Sequence, residues 1–143
     1  MTKSAADSVR RTVIVDAGAL KAAIDRGDVD HAWAVRAFRT VPARFITFEA
    51  AIAEAQHGLE NHPAGVNALR RLVARMDIVA VAAALIASVF DEVVRWAPRM
   101  DFADACAVVL ARNYERAFVL TTDFRDFSTY HVAFASPEGA FHL

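Results

Sequence analysis

The sequence predicts an α/β protein, a three-layer α/β/α sandwich with a central, mainly parallel sheet. Short apolar, mostly β-branched runs alternate with longer segments of helical spacing along the whole chain. The first run, at 12–15, has no alternating polar face, as is typical of a strand covered on both sides. A length of 143 residues, 56% of them hydrophobic, is sufficient for one domain with a sizeable core.

Apolar spacing and stop residues define the elements of the first half of the chain. Pro42 closes one helical segment, and Pro63 is a residue that commonly begins another. Thr47 is predicted to cap a helix, because its hydroxyl would accept a hydrogen bond from the exposed amides of the first turn. The predicted elements are a strand at 12–15, a helix at 17–24, a helix from Asp30 or His31 to Pro42, a strand at 44–46, and helices at 48–59 and from Pro63.

The second half continues the alternation. Pro98 breaks one helix, and Asp101 is positioned to cap the next. The predicted elements are a strand at 78–81, a helix at 83–96, a helix from Asp101 to about Asn113, a strand at 118–120, a loop at 121–127 and a last edge strand at 132–135 before a loose C-terminus. We expect one domain over 1–143, with 1–10 as a loose N-terminal arm.

Composition narrows the class of protein. The single cysteine, Cys106, excludes an intramolecular disulfide. The start of the chain lacks the long apolar region of a signal peptide, and the apolar run at 78–90 is too short to span a bilayer, so we expect a cytoplasmic protein with no membrane partner. Fourteen Arg against two Lys fits phosphate recognition but equally fits a GC-rich genome.

Four acidic residues stand at the ends of apolar segments or on a helix that follows one: Asp16, Glu54, Asp104 and Asp123. Ligands of parallel α/β sheets bind beyond the carboxyl ends of the strands, so these residues are expected to face one pocket. Carboxylates gathered there repel one another unless a cation compensates, and Mg²⁺ or Mn²⁺ prefers such oxygen ligands. The pattern predicts metal-assisted hydrolysis.

Each acidic residue also has a structural explanation that the pattern leaves open. Aspartates favour helix N-termini and turns, and a helix glutamate is commonly solvated. Arg125 either contacts a substrate phosphate or balances the charge of its neighbours. The residues with such alternatives are Asp16, Asp101 and Asp104 as caps, Glu54 as a surface residue, and Asp123 and Asp126 as turn residues.

Four sequence blocks, in this order, resemble PIN-domain proteins, in particular the toxin ribonucleases of VapBC-type toxin–antitoxin systems. They are VIVDAGAL, ITFEAAIAEA, MDFADACAVVLA and FVLTTDFRDF, and the resemblance runs from about residue 12 to 135. It departs from the family at Gly18, where many members carry Ser, Thr or Asn two residues after the first aspartate. That departure affects substrate handling more than metal binding.

The resemblance implies roles for particular residues. Asp16, Glu54, Asp104 and Asp123 would bind the metal, with Asp101 and Asp126 as auxiliary acids. Thr121 and Thr122 would form hydrogen bonds near the site.

The resemblance also implies a Mg²⁺- or Mn²⁺-dependent endoribonuclease that acts on single-stranded or loop RNA. It implies a homodimer and, in toxin members, an antitoxin that blocks the cleft. Two alternatives remain open from the residues alone. A near-neutral net charge of −1 and few lysines are compatible with a non-catalytic RNA-binding module, and the same metal chemistry would serve a nuclease on structured DNA.

Overall fold

The computed structural model describes residues 10–141. Its strands form one six-stranded sheet. The predicted N-terminal arm lies outside the described residues, except for Arg10. The strand order is β3-β2-β1-β4-β5-β6, and every neighbouring pair is parallel except the β5–β6 hairpin. The strands are β1 Arg11–Val15, β2 Ala43–Phe48, β3 Asp77–Val79, β4 Ala117–Leu120, β5 Phe134–Ser136 and β6 Gly139–Phe141.

Helices cover both faces of this sheet. The chain steps from β1 to β2 to β3 in one direction and from β4 to β5 in the other, so right-handed crossovers place their helices on opposite sides. Accordingly, α1 packs against α2, α3 and α4, whereas α5 packs against α6, which also contacts β1 and β4. The helices are α1 Ala17–Ile24, α2 His31–Thr40, α3 Glu49–Gly58, α4 Pro63–Val73, α5 Val81–Arg95, α6 Phe102–Asn113 and α7 Phe124–Phe127. The predicted fold class is confirmed.

Strand β1 lies at the centre of the core. Val13, Ile14 and Val15 are all fully buried. Since successive strand residues point to opposite faces, burial of three in a row requires cover on both sides. The interpretation of the first apolar run as a central strand is therefore confirmed.

Thr47 does not cap a helix, and that prediction is wrong. It is part of β2, and its fully buried hydroxyl donates a 3.0 Å hydrogen bond to the carbonyl of Val15 in β1. The residue at the N-cap of α3 is Phe48, which has no side-chain acceptor to offer. The strand β2 extends two residues further than predicted, so Thr47 lies in the sheet. Its hydroxyl therefore bonds to the neighbouring strand and not to the start of α3.

The other differences lie at the margins of the sheet. The predicted strand at 78–81 is the short edge strand β3, and residues from Val81 onward already belong to α5. The predicted loop at 121–127 contains the single turn α7. The strand expected at 132–135 is β5, shifted toward the C-terminus, and it is not the last strand, because β6 pairs with it as a hairpin. Among residues 10–141, no helix is long and apolar enough to cross a membrane.

Candidate functional site

The sheet has a switch point between β1 and β4. These strands are parallel neighbours, with Val15 opposite Leu120, but their crossovers leave in opposite directions. Such a point opens a crevice at the carboxyl ends of the two strands. The residues that follow the strands directly are Asp16 and Thr121, so both stand at this crevice.

Asp16 is held firmly at the crevice. Its backbone amide donates to the carbonyl of Leu120 at 3.0 Å, which continues the β1–β4 ladder by one residue. Its carboxylate is the N-cap of α1, with Oδ1 accepting from the amide of Ala17 at 2.9 Å. The capping role considered from the sequence is therefore real, and it leaves Oδ2 for another partner.

Thr121 is that partner. Its hydroxyl donates to Oδ2 of Asp16 at 2.9 Å and accepts from the amide of Asp123 at 3.0 Å. The side chain is fully buried, so it cannot meet substrate directly. Its position shows that Thr121 fixes Asp16 and the start of the following turn.

The electrostatic environment of Asp16 disfavours its negative charge. Burial is the largest effect and raises the pKa of Asp16 to about 6, and the charges of Asp101 and Asp123 add to it. The hydrogen bonds from Thr121 and Ala17 oppose the rise in this pKa, but they do not cancel it. Asp16 therefore faces other carboxylates in a poorly solvated place.

Asp104 lies in the first turn of α6. Burial raises the pKa of Asp104 to about 8, with contributions from the charges of Asp101, Asp16 and Asp123. Its Oδ2 accepts a 3.0 Å hydrogen bond from the hydroxyl of Tyr130, and its amide donates to the capping Oδ1 of Asp101 at 2.8 Å. Capping is thus the role of Asp101, whereas the Asp104 carboxylate faces the acidic group.

The turn after β4 supplies the remaining aspartates. Asp123 caps α7, with Oδ1 accepting from the amide of Asp126 at 2.9 Å. Burial raises the pKa of Asp123, the amide of Asp126 opposes this, and the charge of Asp126 adds to it, while the charge of Arg125 lowers this pKa. Asp126 itself lies 3.6 Å from a guanidinium nitrogen of Arg99. Arg125 is exposed beside this turn.

Glu54 reaches the same group from α3. It is exposed, yet partial burial and the charges of Asp101 and Asp16 raise its pKa. Its small neighbours Ala51 and Ala55 are buried, so the glutamate stands at the edge of a packed helix face. All four acids named from the sequence thus have raised pKa values, and for Asp16, Glu54 and Asp104 the charges of other acids in the group contribute to the rise.

The described side chains, as they stand, do not form a metal-coordination sphere. In residues 10–141, no three side chains of the Asp, Glu, His and Cys types are arranged to hold a metal ion as they stand. The donors nevertheless fit a hard divalent cation chemically, because all are carboxylate oxygens. Burial is the largest cause of their raised pKa values, and the mutual repulsion that adds to it is the effect that a dication relieves.

Sequence reasoning missed the residues that brace the site. Tyr130 is fully buried, and its ring packs against Trp96 and Phe127, with centroid distances of 6.0 and 5.3 Å. Its carbonyl accepts from Arg112 at 3.2 Å, and Arg112 forms an ion pair with the buried Glu92. Glu92 gave a usable signal, since it lies among apolar residues on the inner face of α5, but Tyr130 gave none.

The departure at Gly18 has a structural counterpart. A Cβ at this position would lie 2.1 Å from Oγ1 of Thr122. The side chain of Thr122 thus occupies the space over the start of α1 that a larger residue at position 18 would need. The two positions are complementary, and the side chain of Thr122 is partly exposed.

Comparison with known proteins agrees with this architecture. No protein-family model matches the chain, and no curated protein matches it. Among solved structures, the chain is similar to VapC20 of Mycobacterium tuberculosis, described as a Sarcin-Ricin loop cleaving toxin, with a TM-score of 0.71 and 24% sequence identity. The match covers 82% of this chain and 94% of VapC20. The chain therefore has the PIN-like fold of this toxin, as the four sequence blocks predicted.

Proposed function

We propose that this protein is a metal-dependent endoribonuclease and the toxin of a type II toxin–antitoxin pair. The observation that carries the proposal is electrostatic. Four acids on separate elements, Asp16, Glu54, Asp104 and Asp123, have raised pKa values at the crevice between β1 and β4. Acids with perturbed pKa values that lie together in a cleft are typical of catalytic centres. The fold shared with an RNA-cleaving toxin supports the same assignment.

The chain's own residues would prepare the site for catalysis. Thr121 and the amide of Ala17 hold Asp16, Tyr130 holds Asp104, and the Asp126 amide holds Asp123. A bound Mg²⁺ or Mn²⁺ would supply an activated water and neutralise charge on the phosphodiester. Asp101 caps the helix that carries Asp104, and Asp126 lies in the turn that Asp123 caps. Both would act as auxiliary residues that orient the four acids.

The substrate proposed is single-stranded or loop RNA. VapC20 is described as cleaving the Sarcin-Ricin loop, and we extend the preference for a loop, not the particular target, to this chain. Arg125 is exposed beside Asp123, where a guanidinium would meet a phosphate. Thr122 would offer its hydroxyl nearby, whereas Thr121 is too buried to do so.

The deciding experiment is cleavage of a mixed pool of loop and single-stranded RNAs with Mg²⁺, Mn²⁺ or EDTA. Wild type is compared with Asp104→Asn and Asp16→Asn, and with Asp91→Asn as a control that removes an exposed aspartate on α5. We expect cleavage that requires metal, is lost in the two site variants by a factor of about 10² or more, and persists in the control. Cleavage that ignores EDTA or survives both site variants would refute the assignment.

The proposed partners are a second copy of the chain and a cognate antitoxin. The outer face of α5 exposes Ile86, Phe90 and Val94, and Phe90 contacts the half-exposed Phe102 at a ring distance of 5.9 Å. Exposed apolar residues that lie together are typical of an interface, so we place the homodimer here. Sedimentation equilibrium of wild type and Phe90→Glu measures this directly, with a monomeric variant as the expected result. The cytoplasmic location stays a prediction.

A further inference from the structure

Four exposed arginines from three parts of the chain line one groove on the helical face formed by α1, α2 and α4. We call this the arginine groove. It has a volume of about 470 Å³, and its walls include apolar residues such as Ala23, Val35 and Leu72. The arginines are Arg26 just after α1, Arg39 in α2, Arg71 in α4 and Arg75 just after α4. They lie up to forty-nine residues apart in sequence, and the packing of these helices brings them together.

The arginine groove has no internal countercharge. Within residues 10–141, ion pairs involve Lys21, Arg44, Arg99 and Arg112, and none involves an arginine of the groove. The nearby Asp25 and Asp28 are both engaged by Lys21. Four like charges around one concave surface create a positive potential, which an anionic ligand would relieve.

The chemistry of these cations narrows the class of ligand. All four are guanidinium groups, whose planar donors match phosphate oxygens in pairs, and lysine is absent from the lining. Nucleic-acid binding draws its affinity from such phosphate contacts. The acidic crevice offers few such contacts, because most of its charged side chains are carboxylates and Arg125 is its proposed phosphate-binding cation. A second basic surface would therefore add to the affinity for RNA.

Helix α1 gives the separation between the two sites. Its N-cap is Asp16, and its C-terminal residues Ala23 and Ile24 line the arginine groove. A helix of eight residues is about 12 Å long. One strand of a nucleic-acid helix advances about 3.4 Å per nucleotide, so about three to four nucleotides cover this length. This length is the shortest path between the two sites, so an RNA strand needs at least about three to four nucleotides to contact both.

We infer that the arginine groove binds the phosphodiester backbone of the RNA, at least about three nucleotides away from the bond held at the acidic crevice. This inference rests on the proposed function and adds a substrate-binding surface to it. An acidic protein segment is the other ligand that these charges would accept. RNA is favoured because the four cations are guanidinium groups, which suit phosphate oxygens, and because RNA is the substrate proposed for this chain.

The test measures RNA affinity as a function of salt in the non-cleaving Asp104→Asn background. Binding of a roughly 12-nucleotide single strand is measured by fluorescence anisotropy at salt concentrations from about 50 to about 300 mM. The groove variant carries Arg71→Gln and Arg75→Gln. The matched control carries Arg70→Gln and Arg95→Gln, which remove two exposed arginines that do not line the groove.

We expect the groove variant to lose about 0.7 per arginine, or about 1.4 in all, from the slope of log affinity against log salt. The control is expected to keep the slope of its parent. With Asp104 restored, the groove variant should raise KM for the same RNA and leave kcat unchanged, because its arginines do not touch the reacting bond.

Equal slopes for the groove variant and the control would overturn the inference, and so would an unchanged KM. That result leaves the proposed function intact if wild type still shows metal-dependent cleavage that Asp104→Asn abolishes. Absence of both RNA binding and cleavage would overturn the inference and the proposed function together. Thermal melting of every variant ensures that only folded protein is compared.

Discussion

The hydrogen bond between Tyr130 and Asp104 shows how a single buried residue supports the site. A buried tyrosine hydroxyl needs a partner, and the 3.0 Å bond to Oδ2 of Asp104 provides it. Tyr130 is itself fixed, by ring contacts with Trp96 and Phe127 and by the Arg112 bond to its carbonyl. The bond therefore restricts the orientation of the Asp104 carboxylate and leaves Oδ1 for a cation.

Removing only this hydroxyl, with Tyr130→Phe, is expected to weaken Mn²⁺ binding by about 10- to 100-fold, the usual effect of losing a residue that orients a ligand. The free energy of unfolding should fall by about 1 kcal/mol through the lost hydrogen bond. Electron paramagnetic resonance of free Mn²⁺ measures the dissociation constant without any RNA. Tyr114→Phe is the control, because that ring contacts Arg44 and lies away from the acids. An unchanged dissociation constant would mean that Tyr130 serves packing alone.

At the scale of elements, local signals were sufficient wherever a boundary depends on neighbouring residues. Helix α1 has the bounds predicted from its composition, and α6 begins after Asp101, whose carboxylate caps it. Pro63 occupies the first turn of α4, where its missing amide is no loss. Local signals failed for Thr47, because its hydroxyl found a partner in β1, thirty-two residues away in sequence.

The same distinction applies to the site. Asp16 and Asp123 could be selected because they follow strands, and strand ends of a parallel sheet meet at one edge. Thr121 lies 105 residues from Asp16, and Tyr130 lies 26 residues from Asp104. No local pattern encodes those hydrogen bonds. The placement of the acids near the sheet edge was therefore predictable from the residues, whereas Thr121 was indicated only by the family resemblance and Tyr130 was missed. The hairpin partner β6 was missed because three residues are too few to show a period.

The contact between the start of α1 and the turn after β4 predicts an unusual response at Gly18. Replacing glycine by alanine inside a helix normally stabilises a protein by about 0.5–1 kcal/mol. Here the new Cβ would lie 2.1 Å from Oγ1 of Thr122, so the Thr122 side chain or the start of α1 must shift. We expect Gly18→Ala to destabilise the fold by about 1–3 kcal/mol, as overpacking typically does.

Thr122→Ala provides the control for this steric explanation. It removes Oγ1, so the double variant should recover much of the lost stability, with a coupling energy of about 1 kcal/mol or more in a denaturant-based double-mutant cycle. Strictly additive effects would show that the clash at Thr122 is not the cause. Because the cycle measures stability without RNA, it reports the role of Thr122 in packing independently of its proposed role in substrate binding.

For the whole molecule, the buried acids predict how stability depends on pH. The pKa of Asp16 is raised to about 6 and that of Asp104 to about 8, both from an ordinary value of 3.8. Between pH 4 and 8, the folded protein therefore holds more protons than the unfolded chain. Its free energy of unfolding falls as the pH rises, by about 1.4 kcal/mol per pH unit for each extra proton that the folded state holds. Asp28, whose pKa is lowered by Lys21, acts in the opposite sense but only below about pH 4.

Without divalent ions, thermal melting should therefore show a temperature that declines from about pH 5 to pH 8. In Asp104→Asn the decline should be smaller and should end near the pKa of Asp16, about 6, whereas Asp91→Asn should follow wild type. Mg²⁺ or Mn²⁺ binds the ionised carboxylates, so it should raise the melting temperature more at pH 8 than at pH 5. A melting temperature that is flat across this range, or metal stabilisation equal at both pH values, would contradict the raised pKa values of these acids. The raised pKa values, produced by burial and by the charges of neighbouring acids, are the property from which both the metal requirement and the catalytic assignment are inferred.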